Sequence, residues 1–356
     1  MANLKEVLII GGTGAQGIPP DDLSPISALS ASQRYRARVL TRDTTSIRAQ
    51  QLAKLPNVAL IQGKVDDQKD LHEAFKGVYG AWVNLDTFTL GEKNELFYGI
   101  RAYEIARHEG VKHYIWANTS YTLKRANWDE KYRFAHGDVK GRITDLILAQ
   151  GQEGMKSSVL STVPYMNMLV DGLFVPMKQP DGSFVWVNPA TAGKFPLIAL
   201  EDVGYYSLWL FDNLTESAGL DLRVVTDYVS FADIANTFTS VTGKKGVHQS
   251  VPLEAYLKLA EPWPNAPANW SAGPSNAAPD ESALSWRENF SAWWRYWDDG
   301  KDGVVDMDLL TRIHPNRIKS LEEWMRQVGY NGQHKPGNVL KGVEDLIQAN
   351  VIPNKA

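Results

Sequence analysis

Short β-branched runs alternate with longer stretches of helical periodicity through the first half of the chain. The runs Val7–Ile10, Ala37–Thr41, Val58–Ile61, Gly80–Leu85, His113–Ala117 and Ser157–Leu160 predict six strands. Between them, Thr45–Leu55, Gln68–Phe75, Lys93–Glu109 and Val139–Ala149 have helix composition, and Ile100, Tyr103, Ile105 and Ala106 give the third of these an apolar face. Strand, helix and strand at this spacing imply right-handed crossovers and an α/β fold with a parallel sheet. Every strand then ends on one edge, where a ligand crevice belongs.

The pattern changes after residue 160. Between Pro164 and Pro196, the Asp181-Gly182 pair is a turn signal separating Met177 from Phe184–Val187, so a hairpin is expected. Leu222–Thr226 followed by Phe231–Thr242 returns to strand-then-helix grammar, which predicts that the chain rejoins the main sheet and leaves it again. The expected organisation is a nucleotide-binding domain over 1–160, substrate-domain material over 161–221, a return over 222–245 and a C-terminal cap over 246–356. Glu261 to Asp280, rich in Pro, Ala, Asn and Ser, reads as a surface loop or linker. Trp286, Trp293, Trp294 and Trp297 fall in a helical run expected to pack on the body, because little positive charge accompanies them to suggest nucleic-acid stacking.

Composition narrows the chemistry. With 37 basic and 41 acidic residues in 356, no positive field advertises nucleic acid or an acidic membrane. The absence of cysteine removes disulfides, thiol catalysis and thiolate metal sites. No signal-peptide pattern or long apolar span stands out, so a cytoplasmic protein is expected, with the nucleus as a second compartment if it is a regulator. The seven histidines form no cluster along the sequence, and Asp298 to Leu309 lacks the terminal glutamate of a calcium loop, so no metal is expected.

The strongest motif is Gly11-Gly12-Thr13-Gly14-Ala15-Gln16-Gly17, directly after the first apolar run. Gly11 would make the turn, Gly14 would let backbone approach a pyrophosphate, and Gly17 would let the next helix pack closely. Pro19, Pro20 and Pro25 occupy the stretch where that helix should run, which predicts a late start near Ile26 or a broken helix. Arg42 ends the second strand where an acidic residue would accept from the ribose of NAD, and a guanidinium there matches a 2′-phosphate, favouring NADP. Arg48 could assist, or be an ordinary surface arginine.

These segments resemble the NmrA-like branch of the atypical short-chain dehydrogenases, particularly fungal members. The likeness is carried by residues 11–17, by Arg-Val-Leu-Thr-Arg at 38–42, by Val-Lys-His-Tyr-Ile-Trp-Ala at 111–117, by His136-Gly-Asp-Val-Lys140-Gly and by Val163-Pro-Tyr-Met-Asn167. It implies a Rossmann-type parallel sheet with an interleaved smaller C-terminal substrate domain, and NADP(H) held in the cleft by Gly11, Thr13, Gly14, Ala15, Gln16, Gly17, Arg42, Asn84, Asp86, Thr87, Lys140, Thr162, Val163 and Pro164. In the family a lysine at the position of Lys140 lies beside the nicotinamide ribose. The tyrosine expected four residues earlier is His136 here, a group that could donate a proton or merely pack locally. Ser120 is the candidate hydroxyl at the end of the fifth strand. Tyr165, Met166 and Trp186 are the expected contacts to a small apolar or aromatic substrate. The resemblance thus points to an NADP-dependent oxidoreductase reducing a C=O, C=N or activated C=C bond, as in fungal secondary metabolism. The alternative is a non-enzymatic NADP(H)-responsive sensor or transcriptional co-regulator that binds a protein partner.

Overall fold

The computed structural model describes residues 4–17, 24–273 and 283–336. Strand β1 (Lys5–Ile10) carries its apolar run into the centre of the molecule, with Val7, Leu8 and Ile9 wholly buried. Both faces of this strand are covered, which is why its hydrophobic positions are continuous and not alternating. After α1 (Pro25–Ala31) come β2 (Tyr35–Thr41), α2 (Ile47–Leu52), β3 (Val58–Gln62), α3 (Gln68–Phe75), β4 (Gly80–Val83), α4 (Thr87–His108), β5 (His113–Asn118), α5 (Thr122–Arg125), α6 (Ala135–Ala149) and β6 (Lys156–Ser161).

Alternate residues feed two cores, as the pleat requires. Val7, Ile9, Val39, Trp82, Ile115 and Leu160 pack on one side of the sheet. Leu8, Ile10, Val83, Tyr114, Trp116 and Val159 pack on the other, against Phe75 of α3, Tyr103 of α4 and Ile143 of α6.

The chain then forms β7 (Met177–Lys178), β8 (Phe184–Asn188), β9 (Phe195–Leu197), α7 (Leu200–Asp212), α8 (Leu214–Ser217) and β10 (Asp221–Arg223). The latter pairs in parallel with β6 and completes a seven-stranded parallel sheet of order β10-β6-β5-β4-β1-β2-β3. The chain therefore does return to the main sheet. β11 (Asp227–Val229) pairs with β9, and after α9 (Phe231–Thr242), β12 (Gly246–Ser250) lies parallel to β8 beside the β7–β8 hairpin. The architecture is a Rossmann-type sheet with a smaller mixed subdomain interleaved with it.

The remaining helices are α10 (Leu253–Ala260), α11 (Trp286–Asp298), α12 (Met307–Ile313) and α13 (Leu321–Gln327). All four tryptophans of α11 are buried in the core, as their spacing predicts. Part of the stretch expected to be a surface linker is instead packed. Ala266 is buried, its carbonyl accepts the amide of Trp286 at 2.7 Å, and the amide of Ala268 donates to Leu284 at 2.9 Å. Ala and Pro in a polar context hid this, because a docked loop needs no periodicity. The acidic run before α12 is structural as well: Asp298 accepts from the amides of Thr191 and Gly193, and Asp302 pairs with Arg223 at 2.5 Å.

Candidate functional site

Helix α1 starts late. Ser24 caps it by accepting the amide of Ser27, and Pro25 takes the first helical position, where a missing N–H loses no bond. Pro19 and Pro20 lie outside the described residues. The expected role of Gly17 is corrected. A Cβ there would sit 1.8 Å from the carbonyl oxygen of Gly12, so Gly17 lets the loop fold back on itself. The glycine that admits the helix is Gly12, where a Cβ would meet Ile26 at 2.8 Å. Gly11 turns the chain out of β1 at φ +85°, pressed against the carbonyl of Asn84. Among the described residues, a Cβ at Gly14 would meet only the Gly11 oxygen, at 3.2 Å. Thr13 and Ala15 are half-buried beside it.

This loop fits a pyrophosphate: it offers close backbone approach and no acidic side chain. Arg48 supports it from α2 by donating to the Thr13 carbonyl at 3.0 Å. Arg42, at the end of β2, is exposed, and its guanidinium has no hydrogen-bond or ion-pair partner among the described residues. A free guanidinium at that edge fits a 2′-phosphate.

Lys140 on α6 reaches across to the end of β4. Its ammonium donates to Asn84 Oδ1 at 3.0 Å and to the Leu85 carbonyl at 2.7 Å, and pairs with Glu95 Oε1 at 2.9 Å. The same ammonium lies 5.1 Å from the centre of the Trp116 ring. The ammonium is thus held by two hydrogen bonds and one ion pair within the protein. Glu95 is wholly buried, and its other oxygen accepts the hydroxyl of Thr87. Sequence reasoning missed Glu95. The available signal was its place on one helical face with Gly99, Ala102, Tyr103 and Ala106, all buried: a carboxylate on an apolar stripe.

His136 is one helical turn before Lys140 and is partly buried between Phe88 and Phe134, with ring centroids 4.8 and 4.6 Å away. Burial, helped by the charge of Lys140, pushes its pKa down to about 3, and its Nδ1 has no partner among the described residues. The imidazole is neutral at physiological pH and is walled by rings on two sides. Ser120 is buried, and its hydroxyl bonds neither His136 nor Lys140. The three candidate catalytic residues do not form a connected relay.

Gln16 links the loop to the opposite wall. Its Nε2 donates to the Thr162 hydroxyl at 3.1 Å and to the Tyr165 hydroxyl at 2.9 Å, while Oε1 is buried without a partner among the described residues. Tyr165 is half-buried and its pKa is raised by burial.

Several of the expected contact residues have structural partners. Asp86 caps α4 through the amide of Phe88, and Thr87 is bound to Glu95. Val163 and Pro164 are buried, with the Pro164 carbonyl accepting the amide of Ile198. Met166 is wholly buried, and so is Trp186, whose indole donates to the Phe174 carbonyl at 2.8 Å. Both fill the core, to which β8 turns Trp186. The absence of a histidine cluster holds only along the sequence, because the fold brings His72, His108 and Glu109 together away from this crevice.

Solved structures of NmrA, a negative transcriptional regulator, in complex with NADP and with NAD share the fold with TM-scores of 0.69 and 0.70, at 19% identity, covering 91% of this chain and 95% of theirs. The NmrA-like family domain-containing oxidoreductase himF of Aspergillus japonicus is 26% identical over 266 residues, 70% of this chain and 78% of that protein. The nitrogen metabolite repression protein nmr of Neurospora crassa is 21% identical over 295 residues, 72% of this chain and 57% of that protein. The expectation of an NADP-dependent oxidoreductase is corrected here. The solved structures just described are of a regulator holding NADP or NAD, and in this chain the lysine and histidine on which reduction would turn are engaged or walled off. The profile of the NmrA-like family matches residues 3–271, and the chain belongs to that family.

Proposed function

We propose that this protein is a non-enzymatic NADP(H)-responsive sensor whose surface, set by dinucleotide occupancy, is read by a protein partner. The observation that carries this reading is the holding of Lys140 by Asn84, Leu85 and the buried carboxylate of Glu95, beside a histidine held neutral. Such a site orients and binds, and its histidine carries no imidazolium proton to hand over near neutral pH.

The glycine loop would take the pyrophosphate at Gly14, and Arg42 would take the 2′-phosphate. When bound, the dinucleotide would supply hydride chemistry, and the neutral His136 offers no imidazolium beside it to protonate a reduced carbonyl or imine. Occupancy can be passed on through Gln16, which ties the loop to Thr162 and Tyr165; Tyr165 in turn bridges to Ile198, next to β9 of the smaller subdomain. A ligand's effect on a surface requires such a differential contact.

Calorimetric titration with NADP+, paired with absorbance assays of NADPH against carbonyls, imines and enones, tests the proposal. Saturable binding, no substrate-dependent loss of NADPH, and hydrogen-exchange changes reaching β9 are expected. Steady turnover on any of these substrates, or no saturable binding, would overturn it.

A further inference from the structure

We infer a second, separate site: a single divalent transition-metal ion of the zinc class bound by His72, His108 and Glu109. His72 lies on α3, His108 is the last residue of α4, and Glu109 follows it. Topology puts the site on the edge of the sheet opposite the glycine loop, because α4 ends there before the chain enters β5.

The three groups already converge. Nδ1 of His72 is 2.7 Å from Oε1 of Glu109, and Nε2 of His108 is 4.0 Å from the same oxygen. One ligand atom from each residue can be chosen so that all three lie within 4.8 Å of one another. The two imidazoles meet edge to face, with centroids 5.4 Å apart. Zinc takes nitrogen and carboxylate oxygen at about 2.0–2.2 Å in a tetrahedral arrangement, so its ligands stand roughly 3.3–3.5 Å apart. The His72–Glu109 contact must open, and His108 must close, each by less than about 1 Å. The latter movement is easy: the His108 side chain is 74% exposed, whereas His72 and Glu109 are 35% and 20% exposed and already held by their mutual bond.

Two features select the ion. Imidazole nitrogens suit zinc, copper, nickel or cobalt, whereas calcium and magnesium want an all-oxygen shell. The site also sits at the C-terminus of α4, beyond its kink at Gly91, where the macrodipole of the last turns favours positive charge. Three protein ligands leave the fourth position to water. The ion would tie α3 to the end of α4 without touching the crevice.

The experiment uses the full chain without an affinity tag, freed of metal by dialysis against EDTA and titrated with zinc chloride by calorimetry. One equivalent is expected to bind, with a rise in melting temperature that magnesium does not reproduce. His108→Ala should weaken zinc at least tenfold while leaving the melting temperature of the metal-free chain and its NADP+ affinity unchanged, since this side chain is exposed. His72→Ala combined with His108→Ala should abolish the binding. Zinc heats that do not saturate at one equivalent, or that persist in His108→Ala at full affinity, would overturn the assignment, and so would equal binding of magnesium. None of these results depends on dinucleotide binding, so the two proposals fail separately.

Discussion

Replacing His136 by Phe should stabilise the protein in acid but not at neutrality. Unfolded, the imidazole titrates near 6.5; folded, it is held down to about 3. A base with a lowered folded pKa imposes no penalty above the unfolded value. Below it, the unfolded chain takes up a proton that the native state refuses, and stability falls as pH drops from 6.5 toward 3. At pH 5 the gap of about 1.5 units corresponds to ~2 kcal/mol, reduced to about 1–2 kcal/mol because the ring is partly exposed. Phenylalanine suits the position. Its neighbours Phe88 and Phe134 already pack on a ring, and its polar neighbour Asn289 keeps the bond it accepts from the Ala135 amide. The assay is urea unfolding followed by tryptophan fluorescence, for both proteins, at pH 7.5 and pH 5. His113, lowered to about 4, and Asp138, raised to about 6, titrate in the same window, but they are common to both chains and cancel in the difference. The variant should gain about 1–2 kcal/mol relative to the parent on going to pH 5. An unchanged difference between the two pH values, or an imidazole seen by NMR to titrate near 6.5, would refute the neutral, walled-in histidine and with it a main support of the sensor reading.

Other outcomes follow from the same geometry. Lys140→Met strands the wholly buried Glu95 with only Thr87 and should destabilise by about 3–5 kcal/mol, while Glu95→Gln should do less, about 1.5–3 kcal/mol, because Lys140 keeps two carbonyl acceptors; denaturant titration checks the order. Arg42→Ala should weaken NADP+ by roughly 10–100-fold and leave NAD+ nearly unaffected, measured by calorimetry. Gly17→Ala, whose Cβ would collide with the Gly12 oxygen, should distort the loop and abolish measurable binding of either dinucleotide. Trp186→Ala should lower stability by about 3–5 kcal/mol without changing NADP+ affinity at temperatures where the variant is folded, since the indole is core and not crevice.

Much was legible before any coordinates. Short apolar runs announced the strands, helix composition announced α3, α4 and α6, and Pro25 announced a helix that begins late or breaks, because each of these rests on local sterics and on burial of a single element. The glycine spacing and the strand-end Arg42 are likewise local, being set by where a βαβ turn must bend and where a strand must stop. The partners of a side chain are a different matter, since they come from elements far apart in the chain. Nothing in the sequence pairs Lys140 with Glu95, bonds Gln16 to Thr162 and Tyr165, buries Trp186 against Phe174, or sets His72 beside His108. Tertiary packing made those pairings, and with them it decided whether the lysine and histidine of the resemblance are free to react. Residue type and spacing state what a group is able to do; only its neighbours, by filling its donors or excluding water, determine what remains for it to do.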